Sequence, residues 1–508
     1  MSLSDHPKAY GSAAVVTAFI AGALVTLGFK DFYPDLERRY QQDLRSQEAR
    51  LAAASSSSKD VRRRSSFFWG KEFVALEDHE SSSGAPPEKG AAGVRGEGIV
   101  DGIAGCIGNT PLLRIASLSE ATGRTILAKA EFLNGAGNSP KDRVALHMIE
   151  AAEARGLLAP HRGDTIYEGT VGSTGISLAA LARARGYRCH ICMPDDQARE
   201  KSDLLRHLGA VVERVPVAPI TSPGHFVNLA RRRAEEHTAS SADGSRGFFA
   251  DQFESPFNHE AHYLTTGPEI WAQTGGRIDA FVAGAGTGGT ISGVARYLKE
   301  QEQKEQQNNA KAAGGSKKSK KQQQQASLPK QQQQPLKIIL ADPQGSGLYN
   351  KVKHGVMYSP TEREGTRRRA QVDSVVEGVG INRTTANFEA GRDLVDDAVR
   401  VTDAQARAVA RWLVERDGLF AGSSTAVNCA AAALAALTLP EGSVVVTVVC
   451  DPGARHLSKF WRQIAESGLE DSNDDNNDSN KKESSSGGRA TLEELLEVLG
   501  LETPPLVR

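Results

Sequence analysis

The stretch Asn134 to Arg143, NGAGNSPKDR, decides how the rest of the chain is read, because it sets Lys141 at the start of a helix. Ser139 suits the N-cap and Pro140 the first helical position. Val144, Ala145, Met148, Ile149 and Ala152 then recur at helical spacing on one apolar face. A lysine in a first turn opposes the helix dipole and needs a local reason to be there. Taken alone, it reads as a surface lysine. Its company further along supplies the reason, since three glycine-rich turns each follow a strand-like run and open a helix.

The turn Gly286 to Thr290, GTGGT, follows the strand-like run DAFVAGA, so its backbone N–H groups and the dipole of the next helix can cradle a phosphate. Gly284, Gly286 and Gly289 also satisfy GxGxxG, and Asp342 ends the next strand, so a dinucleotide-binding unit is an equal rival on these residues alone. The turn Thr170 to Gly175, TVGSTG, lies between DTIYEGT and another helix. Small residues at a helix start suit a carboxylate, although an ordinary strand-to-helix turn reads the same way.

The chain has 508 residues with a net charge of -1, more than one ordinary domain and no argument for nucleic-acid binding. The excess over one catalytic body is low-complexity sequence: a serine-rich run at 53–66, a Gln/Lys-rich insertion at 301–335, and an Asp/Asn/Ser-rich tail within 468–508. A body at 96–467 remains. Five cysteines, an odd number, argue against a secreted disulfide framework. Cys189 and Cys192 form a CxxC inside YRCHICMP, but no second CxxC or His pair completes a metal site, and the run reads as a core strand.

Through the body, strand-like segments (TILAKAEF, DTIYEGT, YRCHICMP, DAFVAGAG, LKIILADP, SVVVTVVCDPG) alternate with helical ones, the pattern of parallel sheets with helices on both faces. Ahead of it, Gly11 to Phe29 runs without a charge for roughly 28 Å of helix at about 1.5 Å per residue, enough to span a bilayer. Lys30, Arg38, Arg39 and Arg45 follow it against Lys8 before it, which places the body in the cytosol. The expected layout is an anchor at 11–29, a linker at 30–95, and the catalytic body. TLEELLEVLGL near the end reads as a short amphipathic helix.

The order of these pieces resembles the fold type II pyridoxal-phosphate (PLP) enzymes, in the branch of cysteine synthase and cystathionine β-synthase. The resemblance implies an α/β fold of two open parallel-sheet subdomains with the cofactor in the cleft. Lys141 would hold PLP covalently, and Gly286, Thr287, Gly288, Gly289 and Thr290 its phosphate. TVGSTG matches the family's TSGNTG at Thr170, Gly172, Thr174 and Gly175, which would hold the substrate carboxylate. Ser173 replaces the asparagine that bonds the cofactor ring hydroxyl. GNTPLLRI at Gly108 to Ile115, DQFESPFNHEAHYLTTGPEIW with Gln252 as a carboxylate ligand, Gly378 in the loop VEGVG that closes over substrate, and GSST at Gly422 to Thr425 extend the match. In CDPGARHLS, Pro452 falls where the family places a serine for the pyridine nitrogen. Proline makes no such bond, leaving Asp451 or Cys450 to substitute.

The implied activity is a PLP-dependent β-replacement that forms cysteine from O-acetylserine and sulfide, in a homodimer with no metal. Homocysteine as acceptor would make it a cystathionine β-synthase. A β-eliminating desulfhydrase or serine dehydratase uses the same parts, and a PLP-binding, membrane-anchored scaffold without turnover is a third class, motivated by Ser173 and Pro452. The resemblance is to anchored fungal-type members, which makes the mitochondrial outer membrane the first expectation for location and the endoplasmic reticulum the second.

Overall fold

The central strands are short aliphatic runs buried on both faces, as parallel sheets covered by helices require. VVVTVV at Val444–Val449 shows why: Val445 and Val449 face one layer of helices, while Val446 and Val448 face the other. In the computed structural model, which describes residues 99–314, 334–358, 374–469 and 489–505, these runs build two sheets. In chain order the strands are β1 Leu112–Arg114, β2 Thr125–Ala130, β3 Thr165–Gly169, β4 Arg188–Pro194, β5 Val211–Val215, β6 Gly247–Phe249, β7 Ala280–Gly284, β8 Lys337–Pro343, β9 Asp397–Val401 and β10 Val444–Val449. The six-stranded sheet runs β1-β2-β10-β7-β8-β9 and the four-stranded sheet β5-β4-β3-β6. Only the β1–β2 pair is antiparallel.

The larger sheet is covered on one face by Ser423–Leu437, whose alanine-rich sequence SSTAVNCAAAALAAL lets a fully buried helix lie close to the strands. Its other face takes Ile291, Val294 and Leu298 of the helix Gly289–Gly314. The smaller sheet shares its core with Met148 and Ile149 of the Lys141 helix, Lys141–Ala154, and with Ile176 and Leu181 of the helix Ser173–Ala184. This is the expected arrangement of two open α/β subdomains.

Two expectations about the extra segments are amended, and a third falls outside the described residues. The run at 301–335 is helical in its first part, because Gln, Lys, Glu and Ala are good helix formers and extend Gly289–Gly314 outward; residues 315–333 lie outside the described residues. The segment 468–508 is more than a low-complexity tail. It ends in a helix, Leu492–Leu499, that buries Leu495 and Leu499 in the larger core, carries a capping box at Thr491 and Glu494, and pairs Glu494 with Arg416 at 2.9 Å. The candidate anchor at 11–29 and the linker up to residue 98 lie outside the described residues, and among the described residues no helix is long and apolar enough to cross a membrane. Cys189 and Cys192 are three apart in β4, so their thiols enter different clusters on opposite faces and cannot chelate together.

The start of the Lys141 helix is fixed by its neighbour Arg143. Its guanidinium lies between Glu131, at 2.8 and 2.9 Å, and Glu269, at 2.7 and 2.8 Å. Lys129 meets Glu269 at 2.6 Å, so two acids and two bases balance in a site from which Arg143, Glu131 and Lys129 are all shielded. The GNTPLLRI segment is tied to the same cluster. Gly108 donates to Asn134 Oδ1 at 2.8 Å, Asn109 to Glu269 at 2.9 Å, and Thr110 to Glu131 at 2.7 Å. Removing one partner of such a set leaves an uncompensated buried charge. Arg143→Met is therefore expected to cost about 3–5 kcal/mol of stability, read as a lowered midpoint in chemical denaturation.

Candidate active site

The loops after β3, β7 and β10 meet at the carboxyl ends of their strands, where open α/β sheets leave a crevice. A cavity of about 560 Å³ lies there, with Lys141 on its wall. Pro140 already has helical dihedrals, φ −60° and ψ −16°, and the Ser139 hydroxyl accepts the Lys141 N–H at 3.3 Å, so the expected cap is present and the regular helix begins at Lys141. Asp142 turns back to accept the N–H groups of Ala136 at 3.1 Å and Gly137 at 2.7 Å, and the Ser177 hydroxyl donates to it at 2.5 Å. Gly137 can be only glycine here, since a Cβ would come within 2.5 Å of Ser177 Oγ and 2.6 Å of Asp142 Oδ1. Arg455 clasps the same loop through Gly137 O and Asn138 Oδ1.

The lysine is thus held by its backbone, while no hydrogen bond or ion pair among the described residues engages its amine. Burial pushes the amine's pKa down, and the pull of Cys450, Asp451 and Glu131 offsets only part of that. A larger neutral fraction leaves this amine more of its nucleophilic form.

The GTGGT turn lines the same cavity as this amine. Gly286 passes under Gly378 so closely that a Cβ would sit 2.2 Å from the Gly378 oxygen, and Gly288, at φ +85°, would press a Cβ to 2.6 Å from Phe388 Cα. Gly289 is displaced from the wall, its Cα packed on Asn258 Oδ1. Among the described residues the N–H groups of Gly286, Thr287 and Gly288 donate to nothing, and the helix Gly289–Gly314 begins beside them. Thr287 and Thr290 line the cavity, steadied by Asn258 at 2.9 Å and His262 at 3.1 Å. This is an anion cradle. The dinucleotide rival loses its ribose partner, because Asp342 is buried away from the cavity and accepts the Tyr349 N–H at 2.7 Å.

Thr170, Ser173, Thr174 and Gln252 form another part of the wall. Gly172 caps the helix Ser173–Ala184 at φ +148° and is covered by the Lys201 stem, so it shapes the turn without facing the cavity. Thr174 donates to Gln252 Oε1 at 2.6 Å, and Gln252 Nε2 donates to Gly169 O at 3.0 Å, which orients the amide. Gly378, at φ +86°, lines the wall in a loop anchored by Gly380 N–H to Ala285 O at 2.9 Å.

After β10 the structure departs from the expected placement of Pro452. Proline 452 pairs backbone to backbone with Ala421 and stays off the cavity, whereas Asp451 and Cys450 line it. Asp451 is buried, with one carboxylate oxygen bonded to His456 Nε2 at 2.9 Å and the other, Oδ1, unpartnered. Burial, with the Asp451 charge adding to it, pushes the Cys450 thiol up to about 12, so this neighbour is a neutral group. Lys201, Glu377, His456 and Lys459 also line the cavity and were missed from the sequence. Glu377 stands beside Gly378 in VEGVG and His456 five residues after Asp451, so motif adjacency was the one available signal.

An amine, an anion cradle and an unpartnered carboxylate in one cavity fit a small phosphorylated cofactor that carries an aldehyde and a ring nitrogen. The family model described as "Pyridoxal-phosphate dependent enzyme" matches residues 103–451. The chain belongs to that family. Cysteine synthase 2 of Neurospora crassa is 59% identical over 507 residues, covering 99% of each chain. Cysteine synthase 2 of Emericella nidulans is 55% identical over 476 residues, 92% of this chain and 96% of that protein. Among solved structures, O-ureido-L-serine synthase aligns with a TM-score of 0.57 at 30% identity, over 74% of this chain and 98% of that one. The O-acetylserine dependent cystathionine β-synthase from Helicobacter pylori aligns at 0.54 and 30%, over 71% and 98%.

In this PLP enzyme, Gly288→Val is expected to abolish tight cofactor binding, measured by PLP retained through gel filtration, because both its φ and the Phe388 backbone forbid a branched side chain. A second expectation concerns Glu168, behind Gln252, whose carboxyl is pushed up to about 8 by burial and then by Asp251. A carboxyl whose folded pKa exceeds its unfolded one makes the protein lose stability as pH rises between the two. The advantage of Glu168→Gln in unfolding midpoint should therefore open above about pH 4.5 and level off near 8.

Proposed function

We propose that this chain makes L-cysteine by β-replacement, breaking the Cβ–O bond of O-acetylserine, releasing acetate, and forming a Cβ–S bond to sulfide. The observation that carries the reading is the unpaired, burial-depressed amine of Lys141 in one cavity with the GTGGT cradle, in a chain that matches named cysteine synthases over almost its whole length.

PLP, when bound, supplies an electron sink for the charge that develops at Cα. The chain's own residues do the rest. The turn Gly286 to Thr290 holds the phosphate, with Gly289 placing the helix behind it. Lys141 would bind the cofactor, and its free amine would take the α-proton and return it to Cα. Thr170, Thr174 and Gln252 hold the substrate carboxylate, with Gly172 setting the turn; Ser173 offers a single hydroxyl to the ring. The Gly378 loop covers the cavity and limits water, which favours addition of sulfide at Cβ over hydrolytic release of pyruvate and ammonia. Asp451 is the partner of the ring nitrogen. The apolar stretch 11–29 anchors the protein with its body in the cytosol, at the mitochondrial outer membrane; alkaline carbonate extraction of isolated mitochondria should leave the full chain in the pellet.

The deciding experiment mixes the purified full chain with O-acetylserine and sulfide and measures cysteine. Cysteine should form at a rate that saturates in both substrates, and Lys141→Ala should remove both turnover and borohydride-fixable cofactor. Pyruvate and ammonia as the dominant products would show an eliminating enzyme instead.

A further inference from the structure

The contacts behind Asp451 form a chain of four side chains that no motif announced. His456 Nε2 lies 2.9 Å from Asp451 Oδ2, and His456 Nδ1 lies 3.6 Å from Glu377 Oε2. Glu377 is held in turn by Lys201 and, at 3.1 Å, by Lys459. Asp451, His456, Glu377 and Lys201 are each at most 8% exposed. They come from separate elements: the end of β10, the turn after it, the loop bearing Gly378, and a helix of the smaller subdomain, Arg199–His207.

Two features make this more than a structural ion-pair cluster. Asp451 Oδ1 is buried without a hydrogen-bond partner, on a residue of the cavity wall, so the carboxylate has one acceptor position to spare. The pair also cannot retreat, because Gly422 backs it so closely that a Cβ there would come within 2.2 Å of Oδ1 and 2.5 Å of His456 Nε2. Burial alone would push the Asp451 carboxyl up, yet His456, Lys201 and Arg455 together bring it below the usual carboxylate range. Burial likewise opposes ionisation of Glu377, and Lys201, Lys459 and His456 outweigh it, bringing Glu377 down to about 2. The titratable neighbours of Asp451 are thus His456, Lys201, Arg455, Cys450 and Lys141, with Glu377 beyond His456.

We propose that His456, braced by Glu377, is a positioning residue that fixes the Asp451 carboxylate as the charged partner of the pyridine nitrogen of PLP, so that this nitrogen is held protonated. The proposal rests on the reading that the cavity holds PLP with its ring end toward β10. A hydroxyl at this place shares a hydrogen bond with the nitrogen without requiring its proton, whereas a carboxylate favours the charged ring through an ion-paired bond. A protonated ring withdraws electrons more strongly, so α-proton removal is eased.

The test is ¹⁵N NMR of the holoenzyme reconstituted with PLP labelled at the ring nitrogen, alongside the PLP dissociation constant, for the parent, Asp451→Asn, His456→Leu and His456→Gln. The parent should show a protonated nitrogen from pH 6 to 9. Asp451→Asn should move the resonance to the unprotonated position. His456→Leu should move it partway and raise the dissociation constant about tenfold, lowering kcat more than it changes KM at saturating cofactor. His456→Gln, which can still donate to Oδ2, should restore most of both. A parent enzyme that binds PLP stoichiometrically with an unprotonated nitrogen overturns the proposal and leaves the cofactor reading intact. A parent that binds no PLP overturns both. Identical spectra and affinities for the parent and His456→Leu would show that the histidine positions nothing.

Discussion

The structure depends most on the burial of Arg143 between Glu131 and Glu269. A guanidinium presents its donors in a rigid fork, so two carboxylates satisfying it from opposite sides fix their own backbones as well as its own. Glu131 follows β2 of the larger sheet, Glu269 opens the helix Gly267–Thr274, and Arg143 belongs to the helix of the smaller subdomain. One ionic cluster therefore joins three elements two residues from the reactive amine. Lysine at 143 could supply the charge without the geometry, and the angle at which Lys141 leaves its helix would no longer be set.

Charge is distributed in the cavity with a clear division. Lys141 is surrounded by groups that only partly compensate its desolvation, so it is driven toward the neutral amine. Asp451 and Glu377, equally buried, are surrounded by cations and driven toward the anion. The same burial produces opposite outcomes because partners differ, and that difference separates a nucleophile from an electrostatic fixture.

Much of this was legible in the sequence, and the reasons differ by element. Strands such as VVVTVV and the turns TVGSTG and GTGGT were readable because hydrophobic period and glycine placement are local properties, and the amine and cradle follow from them. The partners of Arg143 were not readable: Glu131, Glu269 and Lys129 are ordinary charged residues in sequence, and only the pairing of β2 with β10 and the packing of Gly267–Thr274 bring them together. The C-terminal helix was recognised as amphipathic, but its apolar face carries no address. Its docking on the Ala116–Thr122 and Asp403–Asp417 helices is a tertiary fact. Lys201 and Glu377 were missed for the same reason, since their buried ion pair joins positions 176 residues apart.

The turn after β10 shows why a site cannot be transferred one residue at a time. Aligning a proline with a family serine suggested a lost hydrogen bond, yet the backbone turns so that Pro452 pairs with Ala421 and the preceding aspartate reaches the cavity. A carboxylate in that place would be costly if left alone, because burial favours its neutral form and a neutral acid offers the ring nothing a serine does not. The histidine five residues on, the glutamate across the cavity and the lysines behind it make the charged form stable there. The aspartate and its supporting groups therefore work only together: Asp451 without His456 is a buried acid seeking a proton, and His456 without Glu377 has a ring nitrogen with no acid facing it.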